Sequence, residues 1–237
     1  MAIRAITFDF WQTLFRDVDG EKRFTIREEA LVAATGVGRH AARAALKAMH
    51  KEFFRTHIEE QRNLTPADGV RLVCAHLDCE LSQRDAAALA KIFAEAVLAY
   101  PPEVVEGALE AVRAAAARRP VGLISDVGLS PGNCLRQLLD QHGFTPHFRV
   151  LTFSHEVGVS KPQSKMFEVT AAALKVRAGE MFHIGDLEPT DIAGIHAQGG
   201  TGGLFAGVND RYRNDTSAEY IFPDWATFTE ALDMILA

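Results

Sequence analysis

The chain has 237 residues, 48% of them hydrophobic and 24% charged, and 25 Lys and Arg against 31 Asp and Glu leave a net charge of −6. That balance provides enough apolar material for a sizeable core and, with 18 Gly and 9 Pro, excludes low-complexity disorder and collagen-like sequence. An acidic excess also excludes a general nucleic-acid binder, which needs clustered Lys and Arg, so a small anionic ligand must find a local positive site.

No apolar run approaches the roughly 18–20 residues that span a bilayer, and no basic stretch followed by an apolar signal core opens the sequence, so a cytoplasmic address and no membrane partner are expected. The first element is an apolar run rich in β-formers over 5–10, closed by Asp9 and Phe10 and followed by the polar pair Gln12-Thr13. From about 15 to 100 the pattern changes to helical stretches over 39–61, 67–77 and 83–98. Thr65-Pro66 signals a helix start and Pro101-Pro102 an extended exit. Phe53, Phe54 and Phe93 are expected to form the core of this helical insert. Beyond it, strand-like runs at 121–125, 149–153, 181–184, 203–205 and, more weakly, 220–222 alternate with helical patterns at 104–118, 134–142, 164–175 and 191–198.

Such alternation predicts an α/β fold: a Rossmann-like, doubly wound, mostly parallel sheet covered by helices, formed by 1–15 and 101–237 and interrupted by an all-helical domain over 16–100. Cys74, Cys79 and Cys134 lack metal-like or disulfide-like spacing and read as buried structural thiols. His183 reads as packing within its strand, since none of the nine His has zinc spacing. In parallel sheets ligands bind beyond the carboxyl ends of the strands. The polar residues there are Asp9 and Thr13, Ser125 and Asp126, and Asp186 with Asp191, while Lys161 sits in a loop.

Four segments, Phe8-Asp9-Phe10-Trp11-Gln12-Thr13-Leu14, Leu123-Ile124-Ser125-Asp126, Gly158-Val159-Ser160-Lys161-Pro162 and His183-Ile184-Gly185-Asp186-Leu187-Glu188-Pro189-Thr190-Asp191, resemble in order the four motifs of the haloacid dehalogenase-like (HAD) hydrolase superfamily. The helical insert is similar to the cap domain that the superfamily carries after its first motif. The resemblance implies that Asp9 is a nucleophile, forming an aspartyl-phosphate that water hydrolyses. It implies that Thr13 and Ser125 donate hydrogen bonds to the phosphoryl oxygens, with Asp126 also in the phosphate-binding set, and that Lys161 offsets repulsion between attacking and attacked anions. Mg²⁺ would be held by Asp9, Asp186 and the Trp11 backbone carbonyl, with Asp191 coordinating through water or holding Lys161. A closing cap would exclude water from a small anionic substrate, in a monomer or homodimer.

One position departs from the pattern. Where the superfamily's phosphatases carry a second Asp two residues after the nucleophile, as acid and base, this chain has Trp11, and losing positioned acid–base catalysis removes a factor of about 10²–10⁴. Gln12 also replaces the usual Gly. Three readings follow: a phosphohydrolase for substrates with good leaving groups or with an acid from the cap, a 2-haloacid dehalogenase using Asp9 on carbon, and a catalytically weak binding protein. Dehalogenases of this kind carry an aromatic residue at the Trp11 position but have Ser-Asn at Gly185-Asp186 and Asn at Asp126, where carboxylates would repel a substrate carboxylate. Arginines 16, 23 and 27 are available to bind either anion or to face water. The carboxylates, which need a cation partner, favour phosphoryl chemistry.

Overall fold

The structure, a computed structural model, describes residues 2–237. The chain runs β1 (Ala5–Phe8), β2 (Phe15–Arg16), then four helices, α1 (Gly20–Thr35), α2 (Arg39–Glu59), α3 (Pro66–Leu77) and α4 (Gln83–Ala99), then β3 (Glu103–Val104) and α5 (Ala108–Ala116). It continues through β4 (Val121–Ser125), α6 (Gly132–Gln141), β5 (Val150–Phe153), α7 (Ser154–Val157), α8 (Ser164–Leu174), β6 (Met181–Gly185), α9 (Ala193–Ala197), β7 (Thr201–Phe205), β8 (Tyr220–Phe222) and α10 (Trp225–Ile235).

Six strands form one sheet in the order β5-β4-β1-β6-β7-β8, with every neighbouring pair parallel. The fold is therefore the α/β class that the strand–helix alternation predicts. Along β1 the side chains alternate between faces. Thr7 meets His183, whose ring stands edge-on to Phe167 of α8. Phe8 points the other way, into Trp225 and Phe228 of α10 and onto Phe148. Both faces are covered, and β1, β4 and β6 are buried along their whole length, as their unbroken apolar runs require.

Register brings the chemistry to one edge. Phe8 lies beside Leu123 of β4 and Ile184 of β6, so Asp9, Ser125 and Gly185-Asp186 emerge together at the carboxyl ends of three adjacent strands. The Asp9 amide completes this edge by donating to the Ile184 carbonyl at 2.8 Å.

The chain divides into two compact units. One contains the segment ending at Asp17 together with Glu103–Asp126 and Leu139–Ala237; the other contains Val18–Pro102 and Val127–Leu138. The helical unit thus includes 127–138, which the sequence pattern had assigned to the α/β part. The reason is apolar: Leu129 is buried in a cluster with Leu31, Leu46, Met49, Val70, Val73 and Phe93, and Gly69 leaves room for Leu129 and Met49 to close on the backbone of α3. Phe93 lies in that cluster and Phe53 packs against it, whereas Phe54 is 66% exposed and is no part of the core.

Helix α3 starts with a capping box, Thr65 and Asp68 each accepting from the other's backbone amide, with Pro66 in the first turn. It ends with Asp78 in the left-handed region, the Cys79 amide bonded back to Cys74 and the Asp78 amide to Ala75. Cys74 and Cys79 are half-buried and only Cys134 is fully buried; all three are free. Helix α1 lies outside the predicted stretches because its inward residues include Arg23, Arg27 and Glu28. Their polar groups are satisfied internally: Arg23 donates to the Tyr100 carbonyl, Arg27 to that of Phe93, and Glu28 accepts from Arg39 and Arg43. Among the described residues no helix is long and apolar enough to cross a membrane.

Candidate active site

The loop after β1 is a tight turn. The Leu14 and Phe15 amides both donate to the Phe10 carbonyl, and the Gln12 amide donates to the Phe15 carbonyl. This geometry puts Gln12 at φ 56°, a left-handed conformation where glycine would be unstrained. Phe10 stacks on Phe15 with ring centroids 4.4 Å apart, and the Trp11 ring stands edge-on to Phe10 at 5.0 Å. Thr13 is fixed by the Trp225 indole, which donates to its carbonyl at 3.3 Å. Its own hydroxyl is buried with no hydrogen-bond partner among the described residues. The Ser160 hydroxyl, next to Lys161, is in the same condition. Buried hydroxyls are nearly always satisfied, so an orphan at this strand edge fits a site that accepts a ligand.

Lys161 anchors the centre. Its ammonium donates to Asp9 Oδ1 at 2.7 Å, to Asp191 Oδ1 at 2.5 Å and to the Ile124 carbonyl at 3.1 Å, and its side chain is 3% exposed. Asp126 accepts the Lys161 backbone amide at 3.1 Å, so its carboxylate shapes the lysine loop. Ser125 is fully buried and its hydroxyl makes only a long bond, 3.2 Å, to the Asp126 carbonyl, which leaves it ready to turn toward an anion.

The loop after β6 carries the remaining carboxylates. A π-helical turn over Glu188–Ile192 adds one residue to the start of α9 and folds Asp191 back over the strand end. Gly185 permits this, since a Cβ there would overlap the Asp191 carboxyl group. Asp191 Oδ1 accepts from Lys161 and His183, and Oδ2 from the Leu187 amide at 3.0 Å. The geometry shows Asp191 holding Lys161. His183 does more than pack in its strand. With Nδ1 against the Thr7 hydroxyl at 2.9 Å and Nε2 against Asp191 at 3.1 Å, it extends the buried network by two residues.

Electrostatics separate the carboxyl groups. Burial pushes Asp9 up to about 7, Lys161 opposing and the Asp191 charge adding. Burial and the charges of Asp191 and Asp9 push Asp186 up to about 8. Burial also acts on Asp191, but the Lys161 charge and the His183 hydrogen bond outweigh it and hold that carboxyl well below the usual range. Lys161 remains a cation: the charges of Asp191 and Asp9 overcome the cost of its burial. His183, buried, is held below its ordinary value and is neutral.

Asp9 and Asp186 are therefore an oxygen-only donor pair whose ionised forms a further cation would stabilise. This fits a hard divalent ion such as Mg²⁺, which takes one or two carboxylates and keeps several waters. Among the described residues no set of three or more His, Cys, Asp or Glu groups converges to hold a metal by side chains alone. Asn209, in the loop after β7, escapes the sequence reading; its side-chain amide donates to Asp186 Oδ2 at 2.7 Å.

A model of the haloacid dehalogenase-like hydrolases matches residues 3–199, covering all four motifs. This chain is a HAD-like hydrolase. A search of curated proteins returns no match. Among solved structures, the HAD-like chain is similar to the HAD phosphatase from Thermococcus onnurineus at 19% identity and TM-score 0.69, over 97% of this chain and 98% of that one. It is similar to the 2-haloacid dehalogenase from Pseudomonas syringae pv. Tomato DC3000 at 18% identity and TM-score 0.71, over 98% and 99%. It is also similar to the magnesium-bound YfnB of Bacillus subtilis at 16% identity and TM-score 0.68, over 98% and 100%. At these identities the similarity is one of fold, shared by phosphatases and dehalogenases alike.

Proposed function

We propose that this HAD-like hydrolase is a magnesium-dependent phosphohydrolase acting on a small phosphorylated metabolite with a good leaving group, such as an acyl phosphate. One observation carries this reading: two buried carboxylates, Asp9 and Asp191, are ion-paired to one ammonium with a third, Asp186, near enough to feel their charges, and Asp9 and Asp186 are held above their ordinary range by burial and by neighbouring carboxylates. A site that anionic attracts a divalent cation and, through it, a phosphoryl group, whereas a haloacid carboxylate would meet repulsion. The cation, held by Asp9, Asp186, the Trp11 carbonyl and water, would supply charge neutralisation for the phosphoryl oxygens.

The protein groups divide the remaining work. Asp9 attacks phosphorus, the P–O bond to the leaving group breaks, and that oxygen departs with the electron pair as a carboxylate or phosphate that needs no proton. Water then cleaves the acyl-phosphate on Asp9, releasing phosphate and restoring the carboxylate. Lys161 keeps its charge between Asp9 and the incoming anion. Thr13, in the turn after β1, and Ser125, at the end of β4, offer hydroxyl donors. Trp11 carries no acidic proton, so alkyl esters should be slow by about 10²–10⁴ relative to substrates that leave unaided. The same absence supports a second reading, 2-haloacid dehalogenation, because halide also leaves unprotonated.

The experiment measures phosphate release from acyl phosphates, nucleotides and sugar phosphates with and without Mg²⁺, alongside halide release from 2-haloacids. Metal-dependent phosphate release that Asp9→Asn abolishes supports the proposal. Metal-independent halide release would replace it with the dehalogenase, and neither product would indicate a binding protein.

A further inference from the structure

We propose that Asn209 is a positioning residue for the metal-binding carboxylate: it occupies one oxygen of Asp186 so that the other is presented to the cation. The inference rests on the magnesium reading above and concerns how the chain prepares that ligand.

Asn209 lies in the loop that joins β7 to β8, one strand beyond the strand carrying Asp186. Its Nδ2 donates to Asp186 Oδ2 at 2.7 Å, while its Oδ1 accepts the Arg211 backbone amide at 3.3 Å. Both ends of the side-chain amide are satisfied only in this orientation, so the donor face is turned to the carboxylate. Asp186 is 5% exposed, and a buried carboxylate with one oxygen hydrogen-bonded is held in one orientation, with the lone pairs of its other oxygen left for a ligand.

The loop carrying Asn209 is tied down at both ends. Near its start the Ala206 amide donates to the Phe222 carbonyl of β8 at 2.8 Å. Toward its end Glu188, two residues after Asp186, accepts the hydroxyls of Thr216 and Ser217 and the Ser217 amide. Glu219 accepts the Gly202 amide at 2.8 Å and meets His196 Nε2 at 2.9 Å. These pins attach the Asn209 loop to the segment that bears Asp186, so donor and carboxylate are held in one frame. An exposed connection with no chemistry of its own would not need the three acceptor contacts that Glu188 supplies from that segment.

Calorimetric titration of Mg²⁺ into the full-length, metal-free protein tests the assignment without any substrate. Asn209→Ala should weaken Mg²⁺ binding by about 10–100-fold, the usual effect of losing an outer partner of a metal ligand, and Asn209→His, whose Nδ1–H can occupy the position of the amide donor, should return it to within about threefold of wild type. Asn209→Ser serves in place of Ala if that variant does not fold. Undiminished affinity in the Ala or Ser variant, beside a wild type that binds Mg²⁺, would overturn the role of Asn209 and leave the magnesium reading intact. A loss that His does not restore would overturn the donor role in the same way. A wild type that binds no Mg²⁺ would overturn the magnesium reading and this inference with it.

Discussion

Lys161→Met removes the ammonium from between Asp9 and Asp191 while keeping a side chain of similar length. In the native protein Lys161, Asp9 and Asp191 side chains are 3%, 7% and 1% exposed, with ion-pair distances of 2.7 and 2.5 Å. Breaking a buried pair by deleting one partner costs about 3–5 kcal/mol. An upper limit follows from proton binding, because the stranded Asp191 can always escape by protonating. From its ordinary value of 3.8, that escape costs about 5 kcal/mol at pH 7.5 and about 2 kcal/mol at pH 5.5, at 1.36 kcal/mol per unit. Asp9, already raised to about 7, adds little to the limit. The sign is consistent: a carboxyl held low in the folded state contributes stability above its unfolded value, and the variant forfeits that contribution most fully at high pH. Urea unfolding of both proteins at the two pH values is the assay. A loss below about 1 kcal/mol at pH 7.5, as for an exposed pair, would refute the reasoning, and so would a loss that does not shrink at pH 5.5.

Three further outcomes are expected. Trp11→Asp should raise hydrolysis of alkyl phosphate esters by about 10²–10⁴ if the missing acid alone limits the reaction; steady-state rates on a sugar phosphate check this, and no rise would locate the limit in pocket shape. Asp9 and Asp186, raised from 3.8 to about 7 and 8, bind protons more tightly folded than unfolded, so they cost metal-free protein stability as pH climbs from about 4 to 8; His183, held below 6.5, opposes this up to about its unfolded value, so the net loss should be clearest from about 7 to 8. Urea midpoints across that window test it, and a rising stability would contradict it. Gln12→Gly should stabilise the fold by about 0.5–1 kcal/mol, since relief of left-handed strain, about 1–2 kcal/mol, outweighs the added chain entropy of glycine. A thermal midpoint lower than wild type would mean that the Gln12 side chain makes contacts worth more than the strain.

Much of the sheet and its chemical edge was legible because parallel buried strands write themselves as unbroken apolar runs ending in polar residues. The run over 121–125 coincides with β4, and Asp9, Ser125, Lys161, Asp186 and Asp191 are drawn toward one strand edge. Other features left no periodic trace. Helix α1 hides its burial under Arg23, Arg27 and Glu28, which are satisfied by hydrogen bonds and ion pairs instead of apolar spacing. The ladder Phe15–Val104 and Arg16–Glu103 joins two-residue strands from opposite ends of the helical segment, with Arg16 paired to Glu103 at 2.6 Å, too short for alternation to register. His183 and Asn209 are single polar residues whose partners are distant in sequence. A signal for Asn209 did exist: it is the first amide-bearing side chain past the carboxyl end of β7, the edge where every other site residue gathers.

The burial of Leu129 among residues of α2 and α3 has a consequence for rebuilding this protein. A graft that exchanged Val18–Pro102 for another helical insert would strip 127–138 of the apolar partners it folds against, exposing Leu129 and its neighbours to water. The helical unit is therefore transferable only as two spliced pieces exchanged together, and recombination at the obvious pair of joints should yield insoluble chains.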